Sequence, residues 1–159
     1  MNYNIRASRR EDMVQVLELI RELAVFEKEE NAVEVTVADL ERSGFGDDKL
    51  FHCFVAEQEG VIVGMALVYP RYSTWKGPII HLEDLIVTEK MRGSGLGTAL
   101  LNKVVKYGHK LGVKRISWEV LDWNEPAIEF YKSKGADVKR DWDVVHLDEK
   151  GIANYLAKI

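Results

Sequence analysis

The chain has 159 residues, of which 47% are hydrophobic and 30% charged, and its formal net charge at pH 7 is −4. The length predicts a single domain over residues 1–159, and the negative charge argues against nucleic acid as a partner and favours a cationic one. No apolar run approaches the roughly 20 residues of a membrane span, and the N-terminus lacks the apolar core of a signal peptide. We therefore expect a cytoplasmic protein without a membrane partner. Its one cysteine, Cys53, excludes an internal disulfide.

The first part of the chain predicts one short strand and two helices. The strand covers residues 5–8, and residues 8–11 (Ser-Arg-Arg-Glu) fit a capping box before an amphipathic helix. The apolar residues between 13 and 24 have helical spacing. Residues 36–39 repeat the capping pattern, and Gly44 is expected to end that second helix.

Three strands are expected next. Residues 50–57 and 61–69 are apolar runs joined by Gln-Glu-Gly at 58–60, which is a hairpin turn signal. Residues 79–87 form the third strand. These patterns predict an antiparallel region at the centre of the fold.

The second half of the chain predicts alternating helices and strands. Asn124 can cap a helix, and Pro126 is tolerated in its first turn. The elements expected are a helix over 98–111 with Gly112 after it, a strand over 115–121, a helix from Asn124 to Gly135, strands over 138–140 and 142–147, and a helical tail after Glu149. The whole order, β-α-α-β-β-β-α-β-α-β-β, predicts an α/β fold with a mixed sheet and helices on both faces.

A glycine-rich segment, Arg-Gly-Ser-Gly-Leu-Gly-Thr at 92–98, lies between a strand and a helix. Glycines at a helix N-terminus leave N–H groups uncovered, and the helix dipole adds a positive end, so the segment predicts a pyrophosphate site. A dinucleotide fingerprint needs a third glycine or alanine where Thr98 or Leu100 stands, and a nucleoside triphosphate loop needs a Gly-Lys-Ser/Thr run that is absent. The pattern that remains is R-x-x-G-x-G.

A second pattern, N-x-x-A-x-x-F-Y-x-x-x-G, runs from Asn124 to Gly135. Tyr131 follows Asn124 by seven residues, or two helical turns, so both side chains lie on one face of the helix.

Together the two patterns resemble those of the GNAT acetyltransferases, a family whose central sheet is mixed but mostly antiparallel. A closer resemblance, to the diamine (spermidine/spermine) N1-acetyltransferase branch, extends over most of the chain. The segments that carry it are residues 23–27, 44–46, 51–57, 81–85 and 123–126.

The resemblance implies acetyl-coenzyme A (acetyl-CoA) as co-substrate and no metal. The pantetheine arm would pair with Leu85, Ile86 and Val87 as an added strand. The other implied cofactor contacts are Arg92, Gly93, Ser94, Gly95, Leu96, Gly97 and Thr98 in the glycine loop, and Asn124, Pro126, Ala127 and Tyr131 in the later motif.

Acetyl transfer to an amine needs a base, because an alkylamine with a pKa of about 10.4 is mostly protonated at neutral pH. The resemblance points to Glu83 as that base and to Tyr131 as the acid that protonates the departing thiolate. Glu83 and Asp84 point to opposite faces of a regular strand, so only one faces the amine unless a bulge intervenes. No nucleophilic residue is needed, and Cys53 lies in an apolar strand where a small buried residue is expected.

The acceptor is less closely defined. The substrate contacts implied by the resemblance are Phe26, Glu27, Glu83, Asp84, Ser117, Trp118 and Glu119. Phe26 and His81 stand where the resembled family often has tyrosine. A diamine or polyamine is the expected acceptor, and thialysine or another amino acid is the alternative.

Two other activities stay open, a protein-lysine acetyltransferase and a non-catalytic coenzyme A-binding regulatory module. The resemblance also implies a homodimer that exchanges C-terminal segments.

Overall fold

A computed structural model describes residues 2–159, which form two compact units, one ending at Glu119 and one spanning Val120–Ile159. The first unit contains β1 (Asn4–Ala7), α1 (Met13–Phe26), α2 (Val37–Phe45), β2 (His52–Gln58), β3 (Val61–Ser73), β4 (Gly77–Val87), α3 (Leu96–Lys110) and β5 (Ile116–Ser117). The second unit contains α4 (Glu125–Ser133) and α5 (Glu149–Leu156). A single domain over residues 1–159 stays a prediction.

The five strands form one sheet in the order β1-β2-β3-β4-β5. The first three pairings are antiparallel, and β4 pairs with β5 in parallel. Met65 belongs to the core that α1 and α2 build on one face. A Cβ on its neighbour Gly64 would meet Leu100 of α3 at 3.1 Å. Because adjacent strand residues face opposite sides, α1 and α3 cover opposite faces, and the predicted mixed sheet with helices on both faces is confirmed.

The turn that leads into α1 is capped one residue later than predicted. The N–H of Arg9 donates to the Asp12 carboxylate at 2.6 Å. Asp12 also accepts two hydrogen bonds from Arg6, at 2.6 and 3.0 Å. The predicted capping box at residues 8–11 is therefore wrong, because Asp12 is the carboxylate that a cation on β1 holds in place.

The capping pattern of α2 is confirmed, but its predicted end is wrong. The N–H of Asp39 donates to the Thr36 hydroxyl at 3.2 Å, and the N–H of Thr36 donates back to the Asp39 carboxylate at 3.0 Å. Gly44 lies inside the helix, where an added Cβ would come within 2.7 Å of the Phe51 ring. Close packing therefore accounts for this glycine, and Gly46 is the C-cap.

The hairpin between β2 and β3 is confirmed. Glu59 and Gly60 both have positive φ, 52° and 81°, as a two-residue type I′ turn requires. The strands β3 and β4 are both longer than predicted, since they stay paired as far as Ser73 and Gly77.

In the second unit the predicted helices are confirmed, and the predicted strands are wrong. Asn124 caps α4 by accepting from the N–H of Ala127, and Gly135 follows the helix with φ 85°. The strands predicted at 138–140 and 142–147 are wrong, because neither segment forms a ladder within residues 2–159. A strand exists only where a neighbour bonds its backbone, and alternating apolar residues do not supply that neighbour. For the same reason, the strand predicted at 115–121 is reduced to Ile116–Ser117.

Candidate acetyltransferase site

The glycine segment forms an open turn that begins α3 at Leu96, two residues before the predicted start. Gly93 and Gly95 have φ of 74° and 84°, and an added Cβ on either would meet nothing within 4 Å. Gly95 is the N-cap and offers no side chain to the first N–H groups of the helix. Those N–H groups have no intrahelical partner, so the turn fits a pyrophosphate group.

The outer edge of β4 is paired over only part of its length. Its parallel ladder with β5 joins Ile80 to Ile116 and His81 to Ser117, whereas β4 continues to Val87. The predicted pantetheine-binding residues lie in this continuation, beyond the end of the ladder. An extended chain can add to a strand edge of this kind through backbone hydrogen bonds.

Arg92 contacts α1. Its guanidinium lies 3.7 Å from the Glu22 carboxylate and 5.3 Å from the centre of the Phe26 ring. The same carboxylate accepts from the Thr88 hydroxyl at 3.0 Å and from the N–H of Glu89 at 2.9 Å. Sequence reasoning missed Glu22, whose hydrogen bonds connect α1 to the residues just after β4.

A β-bulge in β4 changes the direction of its two carboxylates. Leu82 pairs with Val68 and Asp84 pairs with Leu67, which leaves Glu83 without an opposite residue. Leu67 belongs to the core beneath α1, so Asp84 lies on that face of the sheet. The oxygen Oε2 of Glu83 lies 3.8 Å from Nε2 of His81.

His81 pairs with Tyr69 of β3, two residues from Leu67. Because residues two apart share a face, His81 also lies on the α1 side. Because the Glu83 carboxylate lies beside His81, Glu83 is on this face too, together with Asp84. Adjacent residues of a regular strand cannot share a face, but a bulge allows it.

Glu27 and Asp84 line a cleft of about 170 Å³ between the end of α1 and β4. Burial raises the pKa of Asp84 to about 6, with smaller contributions from the charges of Glu83 and Glu27. Burial and the charge of Glu29 also raise the pKa of Glu27. The Asp84 and Glu27 carboxylates thus resist ionisation, and a bound cation would reverse that effect.

Glu83 lies in a polar cluster on the same face. His81, which is 5% exposed, is 2.8 Å from the Ser117 hydroxyl through Nδ1. A hydrogen bond with Glu83 contributes to the raised pKa of Tyr69, after burial and the Glu83 charge. Sequence reasoning missed Tyr69 and Arg71. The signal that could have found them is their spacing, since residues two apart on a strand share a face.

The other residues predicted to bind substrate are placed on two elements. Phe26 is the last residue of α1, one position before Glu27. Ser117 ends β5, followed by half-buried Trp118 and exposed Glu119. The structure thus brings Ser117 to Glu83 through His81, whereas Phe26 lies against Arg92.

The second unit carries the predicted acid on α4. Tyr131 is partly buried, and burial raises the pKa of its phenol. Its ring centre lies 5.3 Å from that of Phe130. Pro126 lies in the first turn of the helix, where its missing N–H costs nothing.

A larger cleft of about 500 Å³ lies beside α1 and the hairpin between β2 and β3. Glu22 and Thr88 line it, but none of the residues predicted from the sequence as site residues does.

Across residues 2–159, no group of three or more His, Cys, Asp or Glu side chains is arranged to hold a metal ion, and no helix has the length and apolarity needed to cross a membrane.

Comparisons with known proteins show which family the chain resembles. Residues 13–136 match the model of the acetyltransferase (GNAT) family. The chain is 39% identical to a mouse thialysine N-epsilon-acetyltransferase over 83% of its own length and 82% of that protein. It is 36% identical to the human spermidine/spermine N(1)-acetyltransferase-like protein 1, over 84% of this chain and 20% of that protein.

The fold is that of known structures. An integron cassette protein from Vibrio cholerae superposes with a TM-score of 0.80 at 22% identity, covering 100% of this chain and 99% of that one. The family match covers most of the chain and includes the glycine loop, the two β4 carboxylates and Tyr131. The chain therefore belongs to the GNAT acetyltransferase family and is an acetyl-CoA-dependent enzyme that transfers an acetyl group to an amine.

Proposed function

We propose that the acceptor is a small cationic molecule, a diamine or polyamine, acetylated on a primary amine. The observation that carries this proposal is the cleft that Glu27 and Asp84 both line, each with a raised pKa. An ammonium group between two such carboxylates restores their charge and replaces repulsion with attraction. A second ammonium, separated from the reacting amine by a short alkyl chain, would fit this cleft.

The second candidate is thialysine or another amino acid with a side-chain amine. It is supported by the mouse thialysine N-epsilon-acetyltransferase, which is 39% identical and matches over most of both chains. Such a substrate carries an α-carboxylate, which two acidic side chains would repel. The acidic cleft thus favours the diamine, while the closeness of this relative favours the amino acid.

The donor would be held by backbone groups. Acetyl-CoA, when bound, supplies an activated thioester. The glycine loop would hold its pyrophosphate, and residues 85–87 would hold its pantetheine arm along the open edge of β4. A backbone N–H near Leu85 would then polarise the thioester carbonyl, as the donors of an oxyanion hole do.

Two side chains would carry out the proton transfers, one as a base and one as an acid. Glu83, which is exposed at the bulge, would take the proton from the ammonium form of the acceptor, directly or through water. The neutral amine would then attack the thioester without a covalent enzyme intermediate, so that the C–N bond forms and the C–S bond breaks. Tyr131 would give its phenolic proton to the departing thiolate, and its raised pKa keeps that proton in place at neutral pH. The proton that the new amide nitrogen loses would return through water to the phenolate. Cys53 takes no part, since burial raises the pKa of its thiol to about 12.

The enzyme would act as a homodimer. The segment after α4 exposes a series of large apolar side chains that one protomer leaves uncovered, and a partner's strand could pair with it. These residues are Trp142, Val144, Val145, Leu147, Ile152, Tyr155, Leu156 and Ile159. Light scattering at working concentration tests this, and a monomer would contradict it. A paired variant, Trp142→Glu with Val145→Glu, should shift a dimer to monomer.

A kinetic panel decides between the acceptors. Initial rates with putrescine, spermidine, thialysine and lysine at fixed acetyl-CoA should give the highest kcat/KM for a diamine or polyamine. A clear preference for thialysine or lysine would select the amino-acid alternative. Acetylation of histone peptides in the same assay, with no turnover of the small amines, would point instead to a protein-lysine acetyltransferase.

A further inference from the structure

His81 is buried in the middle of the site, on β4 between Tyr69 of β3 and Ser117 of β5. It takes no part in the proton transfers described above. Its Nε2 is nevertheless 3.8 Å from Oε2 of Glu83, the proposed base. A buried imidazole at that distance from a base can orient the carboxylate and influence its ionisation.

The neighbours of His81 determine which of its nitrogens carries the proton. Nδ1 lies 3.4 Å from Nη1 of Arg71 and 2.8 Å from the Ser117 hydroxyl. A guanidinium can only donate, so its contact favours the tautomer in which Nδ1 is unprotonated, and the hydroxyl, at the shorter distance, donates to the one lone pair of that nitrogen. A neutral imidazole that accepts at Nδ1 carries its proton on Nε2, the nitrogen on the Glu83 side.

Burial keeps the ring neutral, although the charges around it act in both directions. Burial lowers the pKa of His81, and the charge of Arg71 on β3 acts in the same direction. The carboxylates of Glu83 on β4 and Glu119 after β5 act in the opposite direction but do not reverse the shift. The remaining neighbour, Tyr69, keeps its phenolic proton because its own pKa is raised.

We propose that His81 is a positioning residue for the acetyl transfer, held by Arg71 and Ser117 as the neutral Nε2–H tautomer so that this N–H is directed at the Glu83 carboxylate. The inference rests on the proposed role of Glu83 as base. At 3.8 Å the contact is electrostatic, and the N–H favours the orientation in which the carboxylate can accept a proton from the amine. Arg71 acts one step further away, because its donation to Nδ1 selects the tautomer.

The tautomer is tested first on the wild-type protein, without any activity measurement. Long-range proton–nitrogen NMR of the ¹⁵N-labelled enzyme at pH 7 should show His81 with a protonated Nε2 and an unprotonated Nδ1. A proton on Nδ1, or an imidazolium ring, would overturn the proposal. In Arg71→Met, the resonance should shift toward a mixture of the two tautomers. An unchanged single tautomer in that variant would remove Arg71 from the arrangement.

Two isosteric variants then test the function of the Nε2–H group. Gln can place an N–H near the position of Nε2, whereas Asn places its amide near Nδ1. We expect His81→Asn to lower kcat about tenfold or more with the KM for acetyl-CoA unchanged, and to move the acidic limb of kcat/KM to higher pH. His81→Gln should restore most of kcat and the wild-type limb. Equal kcat and equal pH profiles in the two variants would contradict the proposal.

Controls separate this inference from the proposed function. His109→Asn changes an exposed histidine on α3 and should leave the rates and the pH profile as they are. Thermal unfolding of each variant identifies any loss of rate that comes from misfolding, and the wild-type NMR result does not depend on it. If Glu83→Gln keeps full kcat, the role of Glu83 as base fails. If Glu83→Gln is slow but His81→Asn is not, only the inference about His81 fails.

Discussion

Asp84 and Glu27 line the same cleft from two separate elements, one from β4 beyond its bulge and the other from the residue after α1. Each carries a raised pKa, and the charge of Glu27 contributes to that of Asp84. The folded protein therefore holds two carboxylates in a place that disfavours their charged forms. Such an arrangement lowers stability near neutral pH and is expected where a cation binds.

Asp84→Asn should weaken acceptor binding while stabilising the free protein. We expect kcat/KM for the preferred amine to fall about tenfold or more, because one of two carboxylates facing the ammonium group is lost. The pKa of Asp84 rises from 3.8 to about 6 on folding, and each pKa unit is worth about 1.4 kcal/mol. The free energy of unfolding should therefore increase by roughly 1–3 kcal/mol at pH 7.5.

The effect of Asp84 on stability depends on pH. Its folded-state pKa is raised, so its favourable contribution is complete below about pH 4 and is lost as the pH rises through 6. The difference in stability between wild type and Asp84→Asn should accordingly be large at pH 7.5 and small at pH 4 in urea titrations. Asp48→Asn, at an exposed position, is the matched control. It should change neither kcat/KM for the amine nor the free energy of unfolding.

Gly95→Ala should impair the binding of the donor. The position has φ 84°, so an alanine there costs about 1 kcal/mol or more in strain and places a methyl group where the pyrophosphate would approach. We expect the KM for acetyl-CoA to rise about tenfold with little change in the KM for the amine. Gly60→Ala introduces similar strain at φ 81° in the hairpin turn and should leave both KM values unchanged. Equal effects of the two substitutions would show that the loop binds no phosphate.

Tyr131→Phe tests the proposed acid. Removal of the phenol should lower kcat about 100-fold while leaving the affinity for coenzyme A intact in calorimetry. Tyr72→Phe changes an exposed tyrosine on β3 and should be neutral. If kcat in Tyr131→Phe equals that of the wild type, Tyr131 does not take part in the proton transfer.

The ion-pair network at the start of α1 should determine part of the resistance to acid. Arg6 contacts Asp12 and Glu57 at 2.6 Å, with its side chain 17% exposed and that of Asp12 7% exposed. Arg6→Met leaves the Asp12 carboxylate buried without its cation, and we expect a loss of about 2–4 kcal/mol in the free energy of unfolding. Arg10→Met breaks an exposed pair with Glu41 and should cost under about 1 kcal/mol.

Acid titration extends this comparison. Hydrogen bonds from Arg6 hold the pKa of Asp12 below its ordinary value of 3.8. Its contribution is therefore present above pH 3.8 and is lost as the pH falls through the folded-state pKa. Chemical denaturation should show the wild type losing its advantage over Arg6→Met at low pH. A constant difference between pH 3 and pH 7 would contradict the assignment.

Local sequence patterns predicted the elements that depend on neighbouring residues alone. The Thr36 cap, the Glu59–Gly60 turn, the Asn124 cap and the glycine start of α3 all follow from short-range hydrogen bonds or from positive φ. These features are encoded within four or five residues, so the pattern and the structure agree. The same locality made the donor-binding loop the clearest functional prediction.

Other features depend on contacts between separate elements. The capping box before α1 lies one residue later than predicted because Arg6 on β1 holds the Asp12 carboxylate in place. The segment 142–147 alternates as a strand does, yet it forms no ladder within residues 2–159. In both cases a partner on another element, or its absence within the described part, decided the local structure.

The sequence by itself determined the family and the donor, because the glycine loop and the Asn124–Tyr131 helix are short-range patterns with a direct chemical meaning. Only the tertiary structure decided how the acidic residues are arranged. The bulge at Glu83 arises from the register between β3 and β4, and it turns both carboxylates to the face covered by α1. Strand register depends on side-chain packing across the sheet, so no local pattern in β4 could have revealed it.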